Sequence, residues 1–380
     1  IIKKTKNNNP RVTVGHDYRS YSEEIKTALK KGLISSGCYV EDVGLSLSPT
    51  VYFAQFKLNS DAVAMVTASH NENGWTGVKM GIQKGLTHAP KEMRELKDIT
   101  LNKKFITGKG HEKIIDNFKE VYEQDLIKKN KINKKIKAVV ACGNGTAGIF
   151  APQILRSAGC EVIELDCDLN FNFPKYNPNP EDLKMLHATS KCVKDNNADI
   201  GFAFDLDADR LVVVKNGKKL SSDSTLGLGV AKALELGCKN FVLSLDTSIS
   251  IEKYIKKKGG TVFRSKVGEV NVIEKIVETQ SCAGGEGSSG GFIFPDFNFC
   301  RDGILTSGLI VSLMRKDEFS DVLNLMEKYH QIREKIEVGL EYQEKVLKNL
   351  FDVLKEKYRN LQTLDGIKVI VDEDSWFLIR

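Results

Sequence analysis

The chain has 380 residues, 41% hydrophobic and 28% charged, enough apolar material for several globular domains and too much for a disordered chain. The net charge of +6 comes with Lys and Glu mixed along most of the length and without the aromatic-basic interleaving that binds single-stranded nucleic acid; so modest a basic excess suits anionic small substrates as well as it suits polymers. No apolar run approaches the roughly 20 residues of a membrane span, and the basic, Asn-rich start lacks the apolar stretch of a signal peptide; a cytoplasmic protein with no membrane and no nucleic-acid partner is expected.

Arg11–Val14 is a short β-branched run before a helical pattern over 20–37. Residues 61–67, Asp-Ala-Val-Ala-Met-Val-Thr, read as a buried strand, after which the chain turns polar at once through Ser69, His70, Asn71, Glu72, Asn73 and Gly74. Taken alone, Ser69 reads as the cap of a following helix and His70 as a packed side chain; Lys79 stands ten residues on from Ser69. The basic stretch 103–113 reads as a seam. A strand at 137–141 precedes Gly143-Asn-Gly-Thr-Ala-Gly148 and a helix near 149–159, and 161–165 is a further strand. Two apolar strands, 200–204 and 211–215, flank the acidic turn Asp205-Leu-Asp-Ala-Asp-Arg210. Beyond a second seam at 216–219 come strands at 240–244 and 260–263 and a glycine-rich loop carrying Glu286, Ser288 and Ser289; a third seam, 328–335, leads into a charged helix-like run over 336–359. The alternation argues α/β layers with mainly parallel pairing. Eight cysteines include no C-x-x-C pair, which argues against zinc, and several lie in apolar stretches, so reduced free thiols are expected.

Three times, then, an apolar strand ends in a loop of unusual polarity, and in parallel sheets ligands bind outside the carboxyl ends of strands. Asp205, Asp207 and Asp209 stand at i, i+2 and i+4, where they repel one another unless a cation joins them; a hard divalent ion such as Mg²⁺ takes such oxygen ligands. An EF-hand is excluded, because its sixth position needs Gly where this chain has Arg210 and its twelfth needs Glu where it has Asn216. A D-x-D phosphatase with Asp205 as nucleophile is the competing reading. Beside such a turn Ser69 becomes a candidate phosphoserine, a dianion that would need the cation. Glu286, Ser288 and Ser289 among glycines suit either the adjacent hydroxyls of a sugar or a flexible surface loop.

The ordered motifs T-A-S-H-N…G-V-K, D-L-D-A-D-R and G-E-G-S-S-G resemble the α-D-phosphohexomutase family, and within it the bacterial phosphomannomutase/phosphoglucomutase branch. The stretches VGHDYRSYS, CGNGTAGIFAPQIL and NFPKYNPNPEDLKML extend the resemblance over nearly the whole chain. It implies an α/β protein of three related domains with mixed sheets around a central cleft (1–112, 113–218 and 219–332) and a smaller α+β domain, 333–380, that grips phosphate. It implies reversible transfer of a phosphoryl group between C6 and C1 of mannose or glucose, alternatively glucosamine, through a phosphoserine enzyme and a hexose 1,6-bisphosphate. By that carry-over Ser69 holds the phosphoryl group, and Ser69, Asp205, Asp207 and Asp209 hold Mg²⁺. His70 and Lys79 assist proton transfer and charge balance, and Arg210 neutralises or orients the phosphoserine. Glu286, Ser288 and Ser289 lie in the sugar loop, and Arg380 opens a phosphate loop. The chain departs from the family pattern at Glu72 (usually Pro), at Ser289-Gly290 (where the loop commonly supplies a His) and at Glu269 (often His). The family's N-terminal Arg loop and the Ser/Thr-rich segment after Arg380 are absent, so both ends are expected to be short. A monomer or weak homo-oligomer with a hexose phosphate as substrate is expected.

Overall fold

Four β-sheets follow one another along the chain in the computed structural model, which describes residues 1–82, 86–130 and 135–380. The first contains β1 (Arg11–His16), β2 (Tyr39–Leu45), β3 (Ala62–Val66), β4 (Val78–Ile82), β5 (Leu86–Thr87) and β6 (His111–Ile114), in the order β5-β4-β3-β1-β2-β6. The second contains β7 (Ile136–Ala141), β8 (Cys160–Leu165), β9 (Ile200–Phe204), β10 (Leu211–Lys215) and β11 (Lys218–Lys219), ordered β11-β10-β9-β7-β8. The third contains β12 (Asn240–Ser244), β13 (Thr261–Ser265), β14 (Ala283–Glu286), β15 (Gly291–Phe294) and β16 (Asn298–Arg301), ordered β13-β12-β14-β15-β16. A small antiparallel sheet of β17 (Leu361–Gln362), β18 (Ile367–Ile370) and β19 (Trp376–Ile379) ends the chain.

One plan recurs in the three larger sheets. A parallel trio comes first: β3-β1-β2, then β9-β7-β8, then β14-β12-β13. The third strand of each trio then reverses into an antiparallel neighbour, β4, β10 or β15. Parallel pairing therefore holds at the centres and gives way on one side, so the sheets are mixed. Central strands such as β3, β7 and β9 are buried almost throughout, which is why they read as continuous apolar runs rather than alternating ones. The three polar loops singled out in the sequence are the three reversals, at the carboxyl ends of β3, β9 and β14.

The helix Ser48–Leu58 ties the sheets together. It is buried from Ser48 to Gln55, stacks Phe53 on Phe297 at 5.0 Å, and accepts a hydrogen bond from Asn298 Nδ2 at the Pro49 carbonyl (2.8 Å). One apolar core runs through residues of all three larger units as a result. Tyr122, in the helix Phe118–Lys129, donates to Asp302 Oδ2 at 2.8 Å and bridges to the start of the helix Gly303–Leu313.

Three sequence expectations are corrected. Cys238 and Cys282 are paired in a disulfide (Cα–Cα 5.8 Å), not free; they stand just before the starts of the neighbouring parallel strands β12 and β14. The other six cysteines are free, five of them buried. The seams at 103–113 and 216–219 are not plain linkers: the first runs into β6, and the second is the two-residue turn of the β10–β11 hairpin, with Asn216 and Gly217 at φ 53° and 69°. Within 336–359 only Gln343–Lys357 is helical, after a mostly exposed stretch without regular structure. Among the described residues, no helix is long and apolar enough to cross a membrane.

Candidate active site

The loop after β3 is closed by the Thr67 N–H, which donates to the Gly77 carbonyl at 3.1 Å. Ser69 takes a left-handed φ of 51°, and its N–H donates to Thr67 Oγ1 at 2.9 Å. No helix follows Ser69, so the helix-cap reading is corrected. The loop carbonyls are satisfied instead by a residue to which the sequence reading gave no role. The buried guanidinium of Arg19 donates to the carbonyls of Ser69 (3.0 Å), Asn71 (2.6 Å) and Glu72 (3.1 Å) and to Asn73 Oδ1 (3.2 Å), with Asp17 Oδ2 3.5 Å from its Nε. The stretch VGHDYRSYS carried the resemblance; what Arg19 grips is visible only in three dimensions. From the second unit, Asn177 Nδ2 donates to the His70 carbonyl, and Asn73 donates to that of Phe171 at 2.7 Å.

The acidic turn after β9 is bracketed on three sides. The Ser48 N–H donates to the Asp207 carbonyl (3.2 Å), Ala147 to Leu206 (3.2 Å) and Gly303 to Ala208 (3.0 Å). Ala208 adopts φ 56°, which bends the turn tightly enough to bring one oxygen of each of Asp205, Asp207 and Asp209 within 4.8 Å of the others. All three side chains are buried.

These two loops meet. Ser69 Oγ donates to Asp205 Oδ2 at 2.8 Å, and the Arg210 N–H donates to Asp205 Oδ1 at 3.0 Å. Lys79, on β4, donates to Asp207 Oδ2 and Asp209 Oδ2, each at 2.7 Å, and to Ser48 Oγ at 3.0 Å. His70 Nδ1 lies 3.5 Å from Ser69 Oγ, and its Nε2 faces Arg210 at 3.4 Å. Among the described residues no hydrogen bond joins Arg210 directly to the Ser69 side chain; the link runs through His70.

In the third loop Glu286 is buried and accepts from Ser288 Oγ (3.0 Å) and Ser289 Oγ (3.3 Å). A second arginine missed in the sequence, Arg301, lies between this loop and the acidic turn: it donates to Asp209 Oδ2 at 3.1 Å and to Glu286 Oε2 at 3.4 Å. Glu286 and Ser288 face a cleft of about 1460 Å³ whose far wall includes Trp376, Phe377 and Arg380 of the last sheet. Arg380 is half exposed and donates to Asp365 Oδ2 at 3.0 Å. A second cavity, about 940 Å³ beside the disulfide, lies at the opposite end of the third sheet and holds none of these side chains.

Comparison with known sequences decides the family. Residues 1–107, 115–218 and 221–329 match the sequence models of phosphoglucomutase/phosphomannomutase α/β/α domains I, II and III. The chain belongs to the phosphoglucomutase/phosphomannomutase family. A protein of Methanosphaera stadtmanae named "Probable phosphoglucosamine mutase" is 34% identical over 98% of this chain and 83% of its own. The phosphoglucomutase/phosphomannomutase of Thermococcus kodakarensis is 32% identical over 100% and 85%. The crystal structure of a phosphoglucomutase/phosphomannomutase family protein from Burkholderia thailandensis superimposes with a TM-score of 0.83 at 28% identity, covering 96% of this chain and 81% of that one. Phosphohexomutase chemistry comes with that membership.

The electrostatics of this phosphohexomutase site suit a divalent cation. The carboxyl groups of Asp205, Asp207, Asp209, Glu269 and Glu286 outnumber the cations that face them, Lys79, Arg210 and Arg301. Asp207 Oδ1 and Asp209 Oδ1 are buried and have no hydrogen-bond partner among the described residues; hard oxygens left bare in this way are what a hard cation takes. Burial and the neighbouring Asp209 and Asp207 push the Asp205 carboxyl well above its ordinary range. For Asp209, burial acts upward but is outweighed by Lys79, Arg301 and Arg210, which hold it well below that range. Burial works against the Lys79 ammonium, yet Asp207 and Asp209 more than compensate and keep it charged. His70 is lowered by burial and by Arg210, so its ring is neutral at pH 7.

Proposed function

We propose that this chain moves a phosphoryl group between the 6- and 1-oxygens of a hexose, with Ser69 as the carrier. The observation that supports this reading above all is the 2.8 Å hydrogen bond from Ser69 Oγ to Asp205, which joins the hydroxyl of one domain to the acidic turn of the next. Phospho-Ser69 gives its group to the free hydroxyl of a hexose monophosphate: the Ser O–P bond breaks, the sugar O–P bond forms, and the hydroxyl proton passes to a base. The hexose 1,6-bisphosphate so formed turns over, and Ser69 takes the other group back.

Phosphate monoesters are among the most inert of biological esters, so positioning and charge stabilisation carry the catalysis. Mg²⁺ held by Asp205, Asp207, Asp209 and an oxygen of phospho-Ser69 would act as a Lewis acid on the phosphoryl group. Arg19 fixes the loop, so the Ser69 oxygen does not wander from its 2.8 Å contact. His70, neutral and 3.5 Å from Ser69 Oγ, is the base for the hydroxyl proton, while Lys79 as found is committed to charge balance among the carboxylates. Glu286, Ser288 and Ser289 accept and donate to sugar hydroxyls, and Arg380 across the cleft meets the phosphate that is not being transferred.

The phosphatase alternative needs Asp205 as nucleophile. Its carboxylate is fully buried, with one oxygen taken by Ser69 and the other by the Arg210 N–H, and Ser69 is the more accessible of the two. For the sugar, glucose and mannose 6-phosphates are the expectation from the motifs; glucosamine 6-phosphate is the second reading, supported by the name that the Methanosphaera relative carries.

The test is mass spectrometry of the purified protein for phosphate on Ser69, with the three hexose 6-phosphates assayed for conversion to 1-phosphates in Mg²⁺ and a trace of bisphosphate. Ser69→Ala should lose on the order of 10³-fold or more in kcat, and Asp207→Asn should raise the Mg²⁺ concentration needed for half-maximal rate. Near-wild-type turnover by Ser69→Ala sinks the carrier role; inorganic phosphate released with label on Asp205 restores the phosphatase.

A further inference from the structure

Two departures from the family pattern, Glu269 in place of a His and a third loop with no His, meet at one side chain. Arg301 is the last residue of β16, and its own N–H donates to Glu269 Oε1 at 2.7 Å. Its guanidinium is buried and four-sided: Glu269 Oε2 lies 3.4 Å from Nε, Glu286 Oε2 and Ser289 Oγ accept from one terminal nitrogen at 3.4 and 3.3 Å, and Asp209 Oδ2 accepts from the other at 3.1 Å. The stem lies flat on β15, where a Cβ on Gly291 would come within 2.2 Å of Arg301 Cδ. The next residue, Asp302, accepts from the Leu305 N–H and from Tyr122, so the backbone under Arg301 is pinned as well.

We propose that Arg301 is the positioning residue of the sugar loop: it fixes Glu286 and Ser289 for the sugar hydroxyls and ties them to Asp209 of the metal turn, with Glu269 as its dedicated counter-ion. This rests on the phosphohexomutase reading. A planar fork suits the task because it serves three directions from one rigid group, which a lysine ammonium on a flexible stem does not. Arg301 holds Asp209 Oδ2 together with Lys79 and leaves Oδ1 bare for the cation, so it does not itself occupy the cation's oxygens. Its loss leaves the cleft one positive charge poorer. The cation is then held at least as tightly, while an anionic sugar phosphate meets a loosened and more negative loop.

The experiment compares wild type, Arg301→Gln and Arg301→Lys, each titrated with Mn²⁺ by electron paramagnetic resonance and assayed for KM and kcat on hexose 6-phosphates. Arg301→Gln should raise KM about tenfold or more, with a larger change in KM than in kcat and a Mn²⁺ Kd equal to or below that of wild type. Arg301→Lys keeps the charge and the fold but loses the fork, so its KM should rise as well; it carries the test if the Gln variant does not fold. A KM within twofold of wild type in the folded variants overturns the assignment, as does Mn²⁺ binding that weakens in step with the melting temperature, the mark of a merely structural residue. Wild type that binds Mn²⁺ yet converts no hexose phosphate overturns the phosphohexomutase reading instead, and this assignment with it.

Discussion

Lys368 offers a pH-sensitive joint between the last two sheets. It lies on β18, is 3% exposed, donates to the Leu245 carbonyl at 2.6 Å and sits 4.0 Å from the Trp376 ring centroid. Burial first, then Arg264, lowers its ammonium from the usual 10.5 to about 7, against the opposing pull of Glu252 and Asp246. A lysine whose pKa falls on folding binds fewer protons folded than unfolded between those values, so stability rises with pH from about 7 to 10.5 and is flat below and above. A drop of about 3.5 units at about 1.36 kcal/mol each puts the full span near 5 kcal/mol, an upper bound because the Trp376 face partly compensates the charge. The chain has two tryptophans, so Trp75→Phe leaves Trp376 as the sole reporter. Its fluorescence should titrate near pH 7, the urea midpoint of this joint should be higher at pH 9 than at pH 7, and Lys368→Met should abolish both effects. A transition at 10.5, or one that persists in Lys368→Met, refutes the reasoning.

Two further predictions concern parts of the fold that carry the site. Arg19→Gln removes the donor to four loop acceptors and should lower kcat on the order of 10- to 100-fold with little change in KM; Arg19→Lys should not rescue it, and full activity in either variant would show that the loop holds itself. The Cys238–Cys282 bridge closes a loop of 44 residues, for which the chain-entropy argument gives about 4 kcal/mol. Denatured, unreduced protein should titrate six thiols and reduced protein eight, and dithiothreitol should lower the urea midpoint; eight thiols without reductant would dispose of the bridge.

Much of this was legible in the sequence because the central strands are uninterrupted apolar runs that end abruptly in polar loops. The residues alone mark β3, β7, β9, β10 and β12 to within a residue or so, and they single out Ser69 and the three aspartates as candidates. The helix Ser48–Leu58 was not found: it is packed on every side, so Ser-Pro-Thr-Val-Tyr-Phe-Ala-Gln shows no 3.6-residue period to detect. Arg19 and Arg301 escaped for a different reason. The loop partners of Arg19 lie 50 to 54 residues away and those of Arg301 12 to 92, and an isolated arginine carries no local signal of that. The disulfide left no local signal, because Cys238 and Cys282 are 44 residues apart and become neighbours only when β12 and β14 lie side by side.

The bracketing of the acidic turn by the N–H groups of Ser48, Ala147 and Gly303 has a consequence for how this molecule assembles. Each bracket is supplied by a different unit, so the turn is a keystone: no unit on its own can give it its final shape. Loosening any one of the three contacts removes a support of the turn, so the spacing of its carboxylates is a property of the docked units together.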